Sequence, residues 1–199
     1  MSTGRLESFS DGVIAVAITL LVLDLVVPPL RHGHTLAGDL GHEWPDFVAY
    51  GVSFVTVGII WMNHHVMISR LRVADHFVHF VNLLLLMSIV LLPFTTALMA
   101  RYLQARHGES LAAGVYGGSL LLMGTLFSLL HHHILARRPE LMSVEMTPAQ
   151  RRRILVRSAS GVTPYLLATA LAPVSPYLTL AITGAVAAFY ALPAATAGS

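Results

Sequence analysis

The chain reads FSDGVIAVAITLLVLDLVV from Phe9 to Val27, so a carboxylate stands at the entrance of its first long apolar run. The run has about the 20 residues that an α-helix needs to cross the hydrocarbon core of a bilayer. Asp11 already lies inside this segment, where a charge is costly unless a partner satisfies it. The stretch therefore predicts a membrane-spanning helix with a polar residue near one end that has a structural or functional role.

Composition extends this prediction to the whole chain. Hydrophobic residues make up 55% of the 199 residues, charged residues only 11%, and the mean hydropathy is +0.71. These values leave too little polar surface for a soluble globule. Cysteine is absent from the sequence, which excludes disulfides and thiolate metal sites. The basic residues are all arginines beside apolar stretches, a pattern that indicates membrane topology rather than nucleic-acid binding. We therefore expect an integral protein of the lipid bilayer with no nucleic-acid partner.

Six stretches are apolar and long enough to span a membrane as helices. They lie near residues 8–29, 45–69, 76–101, 111–136, 154–173 and 175–193. Pro173 and Pro176 predict the break between the last two spans, and Pro164 is placed to kink the fifth. The predicted fold is all-α and polytopic, with six transmembrane helices in a single domain over residues 1–199.

The arginines fall mostly on one side of these spans. One side carries Arg70, Arg72, Arg137, Arg138, Arg151, Arg152, Arg153 and Arg157, and the other carries Arg31, Arg101 and Arg106. Because arginine is enriched in cytoplasmic loops, both termini are predicted to face the cytoplasm. A signal peptide is disfavoured, since the first segment is too long and contains Asp11 and Asp24.

Four residues of the first span share one helical face. Val16, Thr19, Leu20 and Leu23 follow the i, i+3, i+4, i+7 spacing of an α-helix. At 100° per residue, Asp11 points about 140° away from Val16 and about 80° away from Thr19, which predicts separate roles for two surfaces of this helix. Taken alone, such an apolar face is explained best by ordinary packing between helices.

Three motifs mark the first half of the chain. They are Arg5-x-x-x-Phe9-Ser10-Asp11 followed by the apolar run from Ala15, Gly58-x-x-Trp61-x-x-His64-His65 on the second span, and Asn82-Leu-Leu-Leu-Leu with Pro93-Phe94-x-Thr96 on the third. Together they resemble the signature of the transmembrane protein 175 family of potassium channels. The later spans resemble that family only in the number and length of their helices.

The resemblance implies a six-helix subunit that forms a homotetramer in a prokaryotic cell membrane, with the first helices around an axial pore. It implies passive conduction of monovalent cations, with potassium as the permeant ion, no cofactor and no enzymatic activity. By position after the Phe-Ser-Asp motif, Val16 would form the innermost apolar constriction and Thr19 a ring of hydroxyls, with further apolar rings at Leu20 and Leu23. The family commonly has isoleucine or leucine at the position of Val16, so that ring should be looser here. Four uncharged hydroxyls predict only moderate selectivity for potassium over sodium.

The Phe9-Ser10-Asp11 segment is expected to anchor the first helix through a structural polar network. Polar groups within a bilayer need partners on adjacent helices. The expected partners are Trp61, His64, His65, His79 and Asn82. Arg5 lies six residues from Asp11, so a pairing between them requires a tertiary contact. At the outer end of the span, Asp24 either concentrates cations at the pore mouth or is a solvated helix end.

Other functions fit the sequence less well. A proton-coupled or cation secondary transporter would use Asp11 and membrane-embedded histidines as a relay, but such carriers usually have broken spans or internal repeats, and neither is evident. A membrane enzyme would need convergent carboxylates or a metal triad deep in the spans. The histidine runs lack His-x-x-x-His spacing, and His76 with His79 is an isolated i, i+3 pair, so no metal site is predicted. The segment from Gly114 to Gly118 indicates a small-residue packing face.

Overall fold

The structure is a computed structural model that describes residues 3–29, 33, 35–105 and 107–196, with side chains described as far as Leu192. Arg31 and Arg106, two of the arginines used to predict topology, lie outside the described residues. The described part of the chain forms nine α-helices, and the prediction of an all-α fold is confirmed. The helices are α1 (Thr3–Leu20), α2 (Leu36–His42), α3 (Trp44–Ser69), α4 (His76–Val90), α5 (Leu92–Tyr102), α6 (Glu109–His132), α7 (Pro148–Ser160), α8 (Val162–Leu171) and α9 (Pro176–Thr196).

Five helical stretches among the described residues are long and apolar enough to cross a membrane. They are Thr3–Asp24, Trp44–Ser69, His76–Tyr102, Glu109–Arg137 and Pro148–Leu171. The sixth predicted span corresponds to α9, whose described apolar part, Pro176–Leu192, is shorter than these five. The chain is therefore a multi-span helical membrane protein, and the count of six spans stays a prediction.

Proline explains why two of these stretches are interrupted. Pro93 has no N–H and removes one bond from the helical ladder, so α4 gives way to α5 at Leu91. The N–H of Thr95 still donates to the Leu91 carbonyl at 3.2 Å, so the stretch is kinked rather than severed. Pro164 acts in the same way, and the break between α7 and α8 falls at Gly161. The helix in the fifth span is thus interrupted three residues before the proline that was expected to kink it.

Helix α7 begins earlier than the predicted fifth span, at Pro148 rather than near residue 154. A capping box starts it: Thr147 Oγ1 accepts from the Gln150 N–H at 3.3 Å, and Gln150 Oε1 accepts from the Thr147 N–H at 2.9 Å. The helix carries four arginines and buries none of its residues. Hydropathy therefore gives no signal for its first turns, and the helix extends into the polar stretch before residue 154.

Helix α2 lies in the connection between the first two spans, where the sequence pattern predicted no element. Thr35 starts the helix, because its side-chain oxygen accepts a hydrogen bond from the Gly38 N–H at 3.2 Å. None of its seven residues is buried. Leu36 and Leu40 stand at i, i+4 spacing, but seven residues are too few for an apolar pattern to mark a helix in the sequence.

Helix α6 lies at the centre of the bundle and packs against α4, α5, α8 and α9. Its side chains Tyr116, Leu120 and Met123 are fully buried. The Tyr116 hydroxyl lies 3.0 Å from Ser53 Oγ on α3, which satisfies both polar groups in the interior. A helix covered on several sides is apolar all round, as the sequence of this span is.

Small residues allow α6 and α8 to approach closely, as predicted for the segment from Gly114 to Gly118. A Cβ on Gly117 would lie 2.9 Å from Thr169 Oγ1 and 3.2 Å from Thr169 Cα, so any side chain here would force α8 to shift. A Cβ on Gly114 would lie 3.9 Å from the Cβ of Ala172, in ordinary contact. Gly118 has open space around it among the described atoms. The contact therefore uses Gly114 and Gly117, a different pair from the two ends of the segment.

Two connections at one end of the bundle are joined by backbone hydrogen bonds. Leu71 and Met142 form an isolated antiparallel bridge, and the Ser143 N–H donates to the Arg70 carbonyl at 2.8 Å. These contacts, here termed the interloop clasp, join the turn between α3 and α4 to the segment between α6 and α7. They lie at the same end of the bundle as the beginning of α1.

Candidate functional site

Helix α1 has one buried face and one exposed face. The buried face packs against α3 and α4. Its residues, together with the first residue of the turn that follows, are Leu6, Ser10, Ile14, Ala17 and Leu21. On the exposed face, Val16 is 59% exposed, Leu20 39% and Leu23 71%, and Thr19 is exposed as well. The four residues predicted to line a pore therefore point away from the core of their own subunit.

Helical spacing predicts the direction of the Thr19 side chain better than that of Leu23. The Thr19 hydroxyl donates to the carbonyl of Val16 at 2.8 Å, so its proton is committed within the helix and its oxygen can accept on the exposed side. Leu23 lies beyond the α-helix, which ends at Leu20 and tightens into a 3₁₀ turn over Leu21–Asp24. A 3₁₀ turn has three residues per turn, so the direction of Leu23 departs from the α-helical extrapolation.

A buried chain of hydrogen bonds ties α1 to α4 and α3. The Ser10 hydroxyl donates to the Leu6 carbonyl at 2.8 Å and accepts from Asn82 Nδ2 at 3.0 Å. His64 Nε2 donates to Asn82 Oδ1 at 2.7 Å. Ser10 and Asn82 are 0% exposed and His64 is 1% exposed, so water does not compete for these bonds. These hydrogen bonds fix the rotation of α1 against α3 and α4.

A second polar group, here termed the α1–α3 cluster, consists of Glu7, Asp11, Trp61 and His65. The Trp61 indole donates to Asp11 Oδ1 at 2.9 Å. His65 Nδ1 lies 3.4 Å from Asp11 Oδ2 and 3.4 Å from Glu7 Oε1. Sequence reasoning missed Glu7, although its i, i+4 spacing from Asp11 places both carboxylates on one side of α1.

Two other predicted contacts are not formed among the described residues. Arg5 is exposed, and the described partners of Asp11 do not include it. Six positions separate the two side chains on α1, so they diverge by about 120°. His79 does not reach Ser10 or Asp11, because its Nδ1 donates to the Asp75 carbonyl at 2.8 Å within the first turn of α4. Phe9, the first residue of the predicted anchor segment, is 51% exposed.

Asp75 forms a polar contact that the sequence did not predict. Its Oδ1 accepts from the Val78 N–H at 2.8 Å and caps α4, while its Oδ2 accepts from His133 Nε2 at 2.8 Å. Arg138 Nη1 lies 3.8 Å from the same Oδ2. Partial burial opposes ionisation, but the hydrogen bonds from Val78 and His133 and the nearby positive charges hold the pKa of Asp75 below its ordinary value. His133 and Arg138 lie far from Asp75 in the chain, so sequence spacing does not predict these two contacts.

Asp24 lies at the opposite end of α1, beside a cavity of about 750 Å³. Glu43, Asp46 and Arg101 also line this cavity. Three carboxylates against one guanidinium give the lining of this cavity an excess of acidic groups, which attracts cations. Asp24 is half-buried, which is compatible with both alternatives predicted for it, cation attraction and a solvated helix end.

Comparisons with known proteins agree with this architecture. The family model described as endosomal/lysosomal potassium channel TMEM175 matches residues 5–93. A potassium channel from Streptomyces collinus is 40% identical over 188 residues, which cover 94% of this chain and 91% of the relative. The crystal structure of a lysosomal potassium-selective channel TMEM175 homolog from Chamaesiphon minutus has a TM-score of 0.81 and 36% identity, covering 96% of this chain and 97% of the other. The endosomal/lysosomal proton channel TMEM175 of Gallus gallus is 36% identical over 118 residues, 55% of this chain and 23% of that protein.

A multi-span helical bundle with this first helix and these relatives defines a membrane channel protein rather than an enzyme. The chain belongs to the TMEM175 family.

Proposed function

We propose that this chain is the subunit of a homotetrameric cation channel that conducts potassium in preference to sodium, passively, across a prokaryotic cell membrane. The names of the Streptomyces collinus and Chamaesiphon minutus relatives support potassium as the permeant ion. The observation that carries the proposal is the exposed face of α1, where Val16, Thr19 and Leu20 point away from their own subunit. In the proposed tetramer, four such faces surround the permeation path.

The chemistry of this face suits a gated cation pore. A ring of four apolar side chains at Val16, Leu20 or Leu23 expels water when the pore is narrow, which forms a gate. Four Thr19 oxygens, each with its proton committed to the Val16 carbonyl, present acceptor dipoles to a partly dehydrated cation. Uncharged dipoles discriminate only moderately, and they favour potassium because it loses water at lower cost than sodium.

The polar contacts of α1 have a positioning role in this proposal. The bonds of Ser10 to Asn82 and of Asp11 to Trp61 hold α1 against α3 and α4. Polar contacts between helices resist rotation of a helix within lipid, because a polar group that loses its partner there cannot form a hydrogen bond with water instead. They thereby keep the Thr19 face directed toward the pore axis.

Currents across planar bilayers, recorded with the purified full-length protein, test the proposal. Thr19→Val removes the hydroxyl and keeps the shape, so the potassium-to-sodium permeability ratio is expected to fall toward one, whereas Thr19→Ser retains it. Val16→Asn hydrates the constriction and is expected to raise the resting conductance. Val115→Asn, a matched change at an exposed position of α6, should leave conductance unchanged. A ratio indifferent to Thr19→Val, or a stoichiometry other than four subunits by native mass measurement, contradicts the proposal.

A second candidate, a proton-coupled or cation carrier, is favoured by the contact of His65 with Asp11. The name of the Gallus gallus relative supports proton movement in the family. In proteoliposomes, a carrier exchanges labelled potassium against a proton gradient, and Asp11→Asn abolishes this exchange. Flux that runs down either ion gradient independently, without countertransport, favours the channel.

A further inference from the structure

We propose that Glu7, Asp11 and His65 form a binding site for a divalent transition-metal ion, with zinc as the best fit, between α1 and α3. The three residues each offer one ligand atom, and these atoms all lie within 4.8 Å of one another. The proposal concerns metal binding by the protein itself, so it does not depend on the channel function.

Two of the three distances between ligand atoms match tetrahedral coordination. Bonds of about 2.0–2.1 Å from zinc to nitrogen and oxygen set neighbouring ligand atoms about 3.4 Å apart in a tetrahedron. His65 Nδ1 lies 3.4 Å from Glu7 Oε1 and 3.4 Å from Asp11 Oδ2. Rotation of the Glu7 side chain adjusts the remaining distance, between its oxygen and that of Asp11.

The His65 nitrogen is placed to act as a ligand. Nδ1 is buried and makes no hydrogen bond with any described residue, because its contacts with the two carboxylates lack hydrogen-bond geometry. A buried imidazole nitrogen without a hydrogen bond, facing two carboxylates, is an arrangement that a cation satisfies. The His65 side chain as a whole is 45% exposed, which leaves an entry path and room for a water as the fourth ligand.

Trp61 orients the second ligand. Its indole N–H donates to Asp11 Oδ1, so Oδ2 is the oxygen left to face His65. Hydrogen bonds of this kind hold metal-binding carboxylates in place and increase affinity. One imidazole and two carboxylates suit zinc, cobalt and nickel, whereas calcium and magnesium prefer sets of oxygens only.

The test measures metal binding by tag-free full-length protein in detergent, using zinc chloride in a calorimeter. We expect one ion per subunit in the wild type, and an affinity at least tenfold lower in His65→Gln and in Glu7→Gln. Trp61→Phe, which removes the hydrogen bond to Asp11 and leaves the three ligands, should lower the affinity by about tenfold. His76→Gln, at an exposed histidine of α4, is the matched control and should bind as the wild type does.

Equal affinity in the wild type, His65→Gln and Glu7→Gln overturns the proposal, as does an equal loss in His76→Gln. Cobalt absorption of the wild type gives a reading that needs no variant. Intense d–d bands of four- or five-coordinate cobalt support the site, and only the weak bands of six-coordinate cobalt count against it. Thermal unfolding completes the design, because zinc should raise the Tm of the wild type and leave that of His65→Gln unchanged.

Discussion

Replacing Asn82 by alanine removes the centre of the buried hydrogen-bond chain between α1, α3 and α4. Two bonds are lost, to His64 at 2.7 Å and to Ser10 at 3.0 Å. Hydrogen bonds between membrane helices contribute about 0.6 kcal/mol on average and about 1.7 kcal/mol at most. Asn82→Ala should therefore lower the free energy of unfolding by about 1 to 3 kcal/mol. Reversible unfolding in mixed detergent micelles, followed by tryptophan fluorescence, measures this change.

A double-mutant cycle isolates the Ser10–Asn82 bond within this total. Ser10→Ala removes the same bond from the other side, so the double variant should lose about 0.6 to 1.7 kcal/mol less than the sum of the single changes. Asn82→Ala combined with Thr125→Ala is the control cycle, because Thr125 is exposed and its hydroxyl donates to the Leu121 carbonyl of its own helix. That control should be additive within about 0.5 kcal/mol. Full additivity of Ser10→Ala with Asn82→Ala would refute the view that this bond anchors α1.

Three further changes test other contacts by thermal or chemical unfolding. Gly117→Ala places a Cβ 3.2 Å from a backbone atom of α8 and should lower the free energy of unfolding by about 1 to 3 kcal/mol. Gly118→Ala, with open space around it, should be neutral or slightly stabilising. Equal effects of the two substitutions would contradict the close approach of α6 and α8. Trp61→Phe should cost about 0.6 to 1.7 kcal/mol through the lost indole bond, and an unchanged stability would show that this bond contributes nothing. Folding holds the pKa of Asp75 below its ordinary value, so the ionised carboxylate stabilises the fold at every pH above the ordinary pKa. This contribution is lost as the pH falls through the lower pKa of the folded state. The stability difference between the wild type and Asp75→Asn, a change that keeps an N-cap, should thus be present at neutral pH and shrink below about pH 4, and a difference independent of pH contradicts it.

Much of the helical organisation could be predicted from the sequence, because hydropathy reports the preference of a segment for lipid without reference to its neighbours. Proline positions predicted that the helices are interrupted near Pro164 and near Pro173, since a missing N–H acts locally. Helices α2 and α7 were harder to predict, because they begin with capping side chains and bury none of their residues. Each of these helices is marked in the sequence by its capping residue, Thr35 or Thr147, and a search for apolar patterns does not detect such residues.

The candidate site was predictable where one helix determines it. The shared face of Val16, Thr19 and Leu20 follows from helical spacing, and the structure leaves that face exposed. The partners of Asp11 were limited to a set of polar residues, but the choice of Trp61 over His79 depends on how separate helices rotate against each other. Sequence spacing does not determine that rotation.

The interloop clasp has a consequence for the order in which the bundle assembles. Its two segments are far apart in the chain, with Arg70 and Ser143 separated by 73 positions. Such a contact closes a long loop, so it forms after the intervening helices have inserted and packed. Contacts that form after the rate-limiting step slow unfolding and leave the folding rate largely unchanged. The clasp therefore contributes to the lifetime of the assembled bundle, and disrupting it is expected to shorten that lifetime without impairing membrane insertion.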